Sequence, residues 1–291
     1  MTVSRVLVLG GSGMLGHKLW QVLSTRLDAF ATIRSNGAAA ALIDPARTVS
    51  GVFAEAFETV ERAIDEVDPE VVVNCIGIVK QADAARDPVA SIAINSLFPH
   101  RLAALCRARG TRLIHVSTDC VFSGRRGRYS ESDLPDPVDL YGRSKLLGEV
   151  DDGAGLTIRT SIIGRELAGS NGLLEWFLGE TGTVCGFRLA IFSGLTTPAL
   201  ARVIAAIVAE HRTLTGVRHV ASEPITKFDL LCMLKDAYGH GVDVVPDDDV
   251  VCDRSLDGAR FEQDTAIQID PWARMLAELA GDDYPYERLR S

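Results

Sequence analysis

The sequence predicts an α/β fold, a doubly wound parallel sheet with a smaller α/β lobe beside it. Three observations predict it. Residues 3–9 (VSRVLVL) are apolar without alternation and run straight into a glycine-rich turn. Such a run suits a central parallel strand covered on both faces. Apolar strands then alternate with helical periods as far as about residue 165, the rhythm of repeated strand–helix–strand units. Beyond that point the alternation lapses and longer helical stretches take over.

The elements follow in order. Residues 13–26 read as the first helix, with Leu15, Leu19, Val22 and Leu23 on one stripe. Residues 28–33 form a second strand ending at Arg34, and a third strand is expected near 41–43 in an Ala-rich stretch. The helix over 54–67 keeps Phe57, Val60 and Ile64 in phase and stops at Asp68-Pro69; residues 71–76 (VVVNCI) are a buried strand. Asp87-Pro88 opens a helix with Asp as cap and Pro at the first helical position. That helix should kink near Pro99, resume through Leu102, Leu105 and Cys106, and end at Gly110. Residues 113–116 are a fifth strand, and a loop with Gly124, Gly127, Pro135 and Pro137 precedes a helix over 140–150 and a strand over 156–159. Further helices are expected at 171–179, 198–211, 226–238 and 271–280, with short strands at 217–220 and 242–245. The division is a dinucleotide-binding unit over 1–164 and a substrate lobe over 165–291, with a soft, interleaved boundary.

Charge narrows the function class. The chain has 30 Lys+Arg against 39 Asp+Glu, a net charge of −9. Residues 1–150 hold 17 basic and 17 acidic residues, whereas residues 151–291 hold 13 and 22. Most of the excess lies beyond residue 242, where 5 basic residues face 13 acidic ones. Nucleic acid and anionic membrane surfaces demand broad positive patches, so neither is an expected partner. No apolar run is expected to reach the ~18 residues of a membrane span. The first apolar run is too short for a signal peptide and breaks into glycines, His17 and Lys18. Six cysteines show no CxxC pair and no metal-ligand spacing. Reduced thiols, a cytoplasmic location and no metal site are expected.

Gly10, Gly13 and Gly16 follow a strand and open a helix with the spacing GxxGxxG. Gly10 permits the tight turn, Gly13 lets backbone approach a pyrophosphate, and Gly16 lets helix and strand pack closely. The helix N-terminus adds N–H groups and the positive end of the dipole. A dinucleotide site is therefore expected. An acidic residue at the end of the second strand would bind the ribose hydroxyls of NAD(H). Arg34 stands there instead, and a guanidinium suits a 2′-phosphate, so NADP(H) is favoured with NAD(H) as the alternative.

Tyr141 and Lys145 are spaced YxxxK, which puts phenol and ammonium on one helical face. A nearby lysine cation lowers a tyrosine pKa toward useful acid–base range. Upstream, the fifth strand runs into Ser117-Thr118-Asp119, at the carboxyl end where ligands of open α/β sheets bind. A hydroxyl there can donate to a carbonyl oxygen as charge develops on it.

These residues together resemble the extended short-chain dehydrogenase/reductase family, and most of all its dTDP-4-dehydrorhamnose reductase branch. The motifs carrying the resemblance are the loop at 10–16, the strand end at 117–124 with Cys120 in place of a family tyrosine, and the Tyr-Gly-x-x-Lys helix. Asn74 and Asn95 fall at recurrent family asparagines. The resemblance implies a Rossmann-type fold and a nucleotide-linked 4-keto sugar substrate of surface-polysaccharide synthesis. It implies a triad in which Tyr141 protonates the alkoxide, Lys145 depresses the Tyr141 pKa and holds the nicotinamide ribose, and Thr118 orients the carbonyl. Ser12, Met14, Leu15, Asn74 and Ile76 would join the three glycines around the cofactor. Ser117, Arg188, Thr196 and Arg254 are the candidates for the substrate, the two arginines for its phosphates. The blocks around Arg188 to Thr197 and Cys252 to Leu256 look typical of a polysaccharide-locus subgroup. Trp176, Phe177, Phe187 and Phe192 are aromatic candidates for stacking, with core packing the preferred role. An epimerase or dehydratase on the same scaffold, and a regulatory subunit resembling the beta subunit of methionine adenosyltransferase, are the competing expectations. A homo-oligomer is left open.

Overall fold

In the computed structural model, which describes residues 4–35, 44–81, 86–170 and 172–286, β1 (Arg5–Leu9) is an inner strand of the main sheet. Val6, Leu7, Val8 and Leu9 are fully buried, as an apolar run without alternation requires. α1 (Met14–Ser24) leads to β2 (Asp28–Ile33) and β3 (Thr48–Ser50). The stretch expected to hold the third strand, 41–43, lies outside the described residues. α2 (Phe57–Val67) precedes β4 (Val71–Asn74). A long helical stretch combines α3 (Pro88–Ser91), a π turn (Ile92–Leu97) and α4 (Phe98–Ala108). β5 (Arg112–Val116), α5 (Leu140–Leu147) and β6 (Leu156–Arg159) complete the alternation.

The later elements are β7 (Ile162–Ile163), α6 (Leu173–Gly179), β8 (Thr183–Phe187), β9 (Ala190–Phe192), β10 (Leu195–Thr196) and α7 (Thr197–Glu210). They continue with β11 (Gly216–His219), β12 (Ile225–Thr226), α8 (Lys227–Tyr238), β13 (Asp243–Asp247), β14 (Cys252–Asp253), α9 (Ala259–Thr265) and α10 (Trp272–Ala280). The main sheet runs β11-β6-β5-β4-β1-β2-β3, all pairs parallel. The order reverses between β1 and β4, the crevice where such sheets bind ligands. β11 comes from beyond residue 165 yet closes this sheet, and α7 packs on α1. One apolar core runs from β1 and α1 through α7, α8 and α10. The smaller β12-β9-β14 and β13-β8 sheets lie outside the main one.

The helix break differs from expectation. The widening comes before Pro99, over Ile92–Leu97. Proline lacks an N–H, so the Asn95 carbonyl loses its ordinary partner four residues on. Gly148, just past α5, fills that space: a Cβ there would stand 1.8 Å from the Asn95 carbonyl oxygen. The Asn95 side chain accepts from Ile78 N at 2.8 Å, and its amide donates to Ile78 O at 3.0 Å and to Ser144 Oγ at 3.2 Å. One residue thus joins the long helix, the segment after β4 and α5. By length and composition Pro88–Ala108 would suffice to cross a membrane, contrary to the expectation that no such run exists. Here Phe98, Leu102, Leu105 and Cys106 turn that apolar character into the core under the sheet.

Candidate active site

The glycine loop is held by β2. Gly10 N donates to Thr32 Oγ1 at 3.1 Å, and Gly11 N to Thr32 O at 2.7 Å. Gly10 has φ +85°, the left-handed region that favours glycine. A Cβ on Gly16 would stand 2.1 Å from Gly10 O, so only glycine lets α1 start this close to the turn. Gly13 is exposed, and nothing but Gly10 O approaches its Cβ position. No side chain caps α1, and its first turn has no acidic residue. The first N–H groups of α1 therefore point outward without a side-chain acceptor, a cradle that fits a pyrophosphate.

The flanking candidates separate into backbone and side-chain roles. Ser12 is half-buried on the loop. Leu15 turns its side chain into the core, so only its amide faces the cradle. Met14 packs its methyl group where a side chain on Gly172 would sit. Asn74 is fully buried and acts behind the loop: its Oδ1 accepts from Ile76 N at 3.0 Å, and its amide meets His115 Nδ1 at 3.1 Å. Ile76 in turn abuts Gly10. Arg34 is exposed directly after β2.

Thr118, Tyr141 and Lys145 come together beyond the carboxyl end of β5. Gly142 makes this approach possible, because a Cβ there would stand 2.2 Å from Cys120 O. α5 thus lies on the turn after Thr118, with the Tyr141 phenol near enough to the Thr118 hydroxyl for that hydroxyl to favour its ionised form. Asp139 caps α5 by accepting from Gly142 N at 2.8 Å and pairs with Lys80 at 2.7 Å. Thr118 Oγ1 donates to Asp119 Oδ1 at 3.1 Å and accepts from Cys120 N at 3.1 Å. Lys145 is 5% exposed and donates from Nζ to Val116 O at 2.7 Å.

The electrostatics correct one expectation. Burial pushes the Tyr141 phenol up, with the charges of Cys120 and Asp119 in the same direction and only the Thr118 hydroxyl opposing. Lys145 does not offset this, because its ammonium is aimed at the Val116 carbonyl. Burial draws Lys145 itself down to about 8, against the pull of Glu149 and Cys75. Burial also raises the Asp119 carboxyl, opposed by Arg254 and Lys227.

The substrate candidates fare unequally. Arg254 reaches the site: its Nε donates to Phe122 O at 2.9 Å, and its charge faces Asp119 and Asp139. Arg188 does not. Its guanidinium is exposed and forks onto Asp248 with Nε–Oδ1 at 2.8 Å, a surface ion pair. Ser117 turns away, since its hydroxyl donates to Glu149 Oε1 at 2.7 Å, and Arg159 clamps the same carboxylate at 2.8 and 2.7 Å. Thr196 is fully buried, pairs with Ile163 in β7, and caps α7 through Ala199 N. It ties the start of α7 to β7. Phe177 and Phe192 belong to the core, while Trp176 is 38% exposed.

Lys227 was not legible in the sequence. It opens α8 behind the cap Thr226, its Nζ lies 3.8 Å from the centre of the Phe192 ring, and its charge faces Asp119 and Cys120. Burial draws it down to about 8. The Thr-x-x-Asp pattern at 226–229 marks a helix start, and nothing local says that its first residue faces Asp119.

A family model described as RmlD substrate binding domain matches residues 4–163. The chain belongs to this family. This RmlD-family chain is 34% identical over 176 residues to a probable low-salt glycan biosynthesis reductase of Haloferax volcanii, covering 57% of this chain and 58% of that protein. It is 28% identical over 251 residues to the methionine adenosyltransferase 2 beta subunit of Danio rerio, covering 80% of this chain and 74% of that protein. The chain spans about half the length of the first curated reductases it matches. Among solved structures, a hypothetical dTDP-4-dehydrorhamnose reductase from Sulfolobus tokodaii has a TM-score of 0.76 at 27% identity, covering 91% of this chain and 96% of that one.

Proposed function

We propose that the chain is an NADP(H)-dependent reductase of a nucleotide-linked 4-keto sugar, acting in deoxysugar or surface-polysaccharide synthesis. One observation carries this reading: Tyr141 meets Thr118 at the end of β5, with Lys145 one turn further on and the uncapped glycine loop at the end of β1. The loop would hold the pyrophosphate and Arg34 the 2′-phosphate. The dinucleotide, when bound, supplies hydride to the carbonyl carbon. Thr118 holds the carbonyl oxygen, and Tyr141 gives its phenolic proton to that oxygen as it becomes an alkoxide. A phenol pushed up by burial is a ready donor only if a cation stabilises the phenolate left behind. Lys145, next on the same helical face, supplies that charge once substrate approaches. Arg254 and Lys227 bring positive charge to the pocket for the anionic part of the substrate. Free thiols, one of them the exposed Cys185, suit a reducing cytoplasm.

The test is NADPH oxidation followed against a panel of nucleotide-linked 4-keto sugars. Stoichiometric oxidation with one of them supports the reductase; sugar conversion without net oxidation supports an epimerase or dehydratase. The match to the methionine adenosyltransferase beta subunit favours a second reading, a regulatory subunit that binds dinucleotide without turnover. Binding of NADPH with silence across the panel would favour it.

A further inference from the structure

The segment after α10 is tied to the glycine loop by a continuous run of polar contacts that the proposed reaction does not use. Gly13, the residue that starts α1, offers its carbonyl to His17, whose Nδ1 donates at 2.8 Å. The other ring nitrogen, Nε2, lies 3.0 Å from the Tyr286 hydroxyl. That hydroxyl has one proton to share between two acceptors, His17 Nε2 and Asp282 Oδ2 at 2.9 Å, and the same Asp282 oxygen pairs with Lys18 Nζ at 2.6 Å. His17 is fully buried, Tyr286 is 2% exposed and Lys18 5% exposed. Rings close the assembly: Lys18 lies 5.1 Å from the centre of Tyr284, and Arg165 lies 4.7 Å from that of Tyr286.

Two features make this more than packing. First, the run ends on Gly13 itself, the residue whose exposed backbone and open Cβ position form the crest of the cradle. Second, α1 carries no side-chain cap of its own. The loop is held on one side by Thr32 of β2, and the start of α1 is held on the other by the His17–Tyr286–Asp282 contacts. A helix N-terminus holds an anion only as well as its amides are pre-aimed, since ordering them at binding subtracts from affinity.

We propose that Asp282–Tyr286 is a strap that aims the glycine loop. Tyr286 and Asp282 are positioning residues that act through His17 and set the affinity for a dinucleotide pyrophosphate. The inference rests on the dinucleotide reading of the loop, and the experiment separates the two. The full-length wild-type chain is titrated with NADPH and with NADH by fluorescence, beside Tyr286→Phe, which keeps the ring and removes one hydroxyl, and Asp282→Asn. Each variant should weaken both dinucleotides about three- to tenfold, the scale of one lost hydrogen bond. The KM for dinucleotide should rise while kcat and the KM for sugar substrate stay as in wild type. A strap that only stabilised the fold would lower the melting temperature and leave both dissociation constants unchanged, and that result would overturn the proposal. If the wild-type chain bound neither dinucleotide, the reading of the loop would fall, and the strap with it. Should Asp282→Asn fold poorly, Tyr286→Phe decides alone.

Discussion

Tyr141 and Lys145 share one face of α5, yet their neighbours pull them apart electrostatically. The phenol is buried against Thr118 and pushed up, whereas the ammonium is committed to Val116 O and drawn down to about 8. Tyr141→Phe should keep NADPH affinity within measurement error and lose about 10²- to 10⁴-fold in turnover, the scale of a positioned proton donor. Lys145 loses its charge as pH rises through about 8, so kcat/KM should fall on that alkaline limb. Lys145→Arg, which keeps its charge, should move the limb upward; a limb that stays in place assigns it to another group. Arg34 stands exposed where an acidic residue would read ribose hydroxyls. Arg34→Ala should cut the preference for NADPH over NADH by about 10- to 100-fold, the scale of a charge-assisted contact. An unchanged preference would remove Arg34 from the phosphate site.

Elements meet here at glycines. Gly16 lets α1 touch the turn at Gly10, and Gly148 lets the end of α5 touch the freed carbonyl of Asn95. Both contacts are with backbone, so an added methyl group must displace an element rather than a side chain. Gly16→Ala should cost about 1–3 kcal/mol, read by urea unfolding, and abolish measurable dinucleotide binding. Gly148→Ala should cost a similar amount, but its signature differs. Dinucleotide binding should survive while turnover falls, because α5 carries Tyr141 and Lys145 away from Thr118. Loop and helix spacing were legible because both are local. The π turn was only half legible: Pro99 announced a break, but the break is accommodated by Gly148, 53 residues on from Asn95 and brought to its carbonyl only by packing.

At the scale of the molecule, His17 and His115, two of the fully buried histidines, weaken the fold in acid. Burial lowers His17 to about 4 and holds His115 well below its ordinary value. Both are lowered relative to the unfolded chain. Their stabilising contribution is therefore whole above about pH 6.5 and is lost as pH falls toward the folded values. His17 alone should account for roughly 3 kcal/mol between pH 6.5 and 4. Urea midpoints measured across that range should fall, and less steeply for His17→Gln. The acidic excess of residues 151–291 has a different meaning. Asp248, Asp243, Asp264, Asp270 and Glu278 pair with Arg188, Lys235, Arg218 and Arg202 at or near the surface. Exposed pairs of this kind contribute about 0–1 kcal/mol each, so this charge concerns solubility more than the site.

Apart from the sheet edges β3 and β11, which it did not place, the sequence by itself determined the five inner strands β1, β2, β4, β5 and β6, the glycine loop, the Tyr–Lys face of α5 and the hydroxyl at Thr118. Each is written in periodicity or in spacing within one element, where geometry follows from the backbone alone. Only the tertiary structure decided among polar residues far apart in the chain. Arg188 and Arg254 look alike in sequence, but one forks onto Asp248 in solvent and the other reaches Phe122 O beside Asp119. Ser117 and Thr118 are neighbours, but successive side chains of an extended strand point to opposite sides. One hydroxyl is spent on Glu149 and the other meets Tyr141. Lys227 came to face Asp119, and Tyr286 the back of the loop, across more than 100 residues of chain. The partner of a charge or a hydroxyl is set by what the fold brings within about 3 Å of it, and no local pattern encodes that.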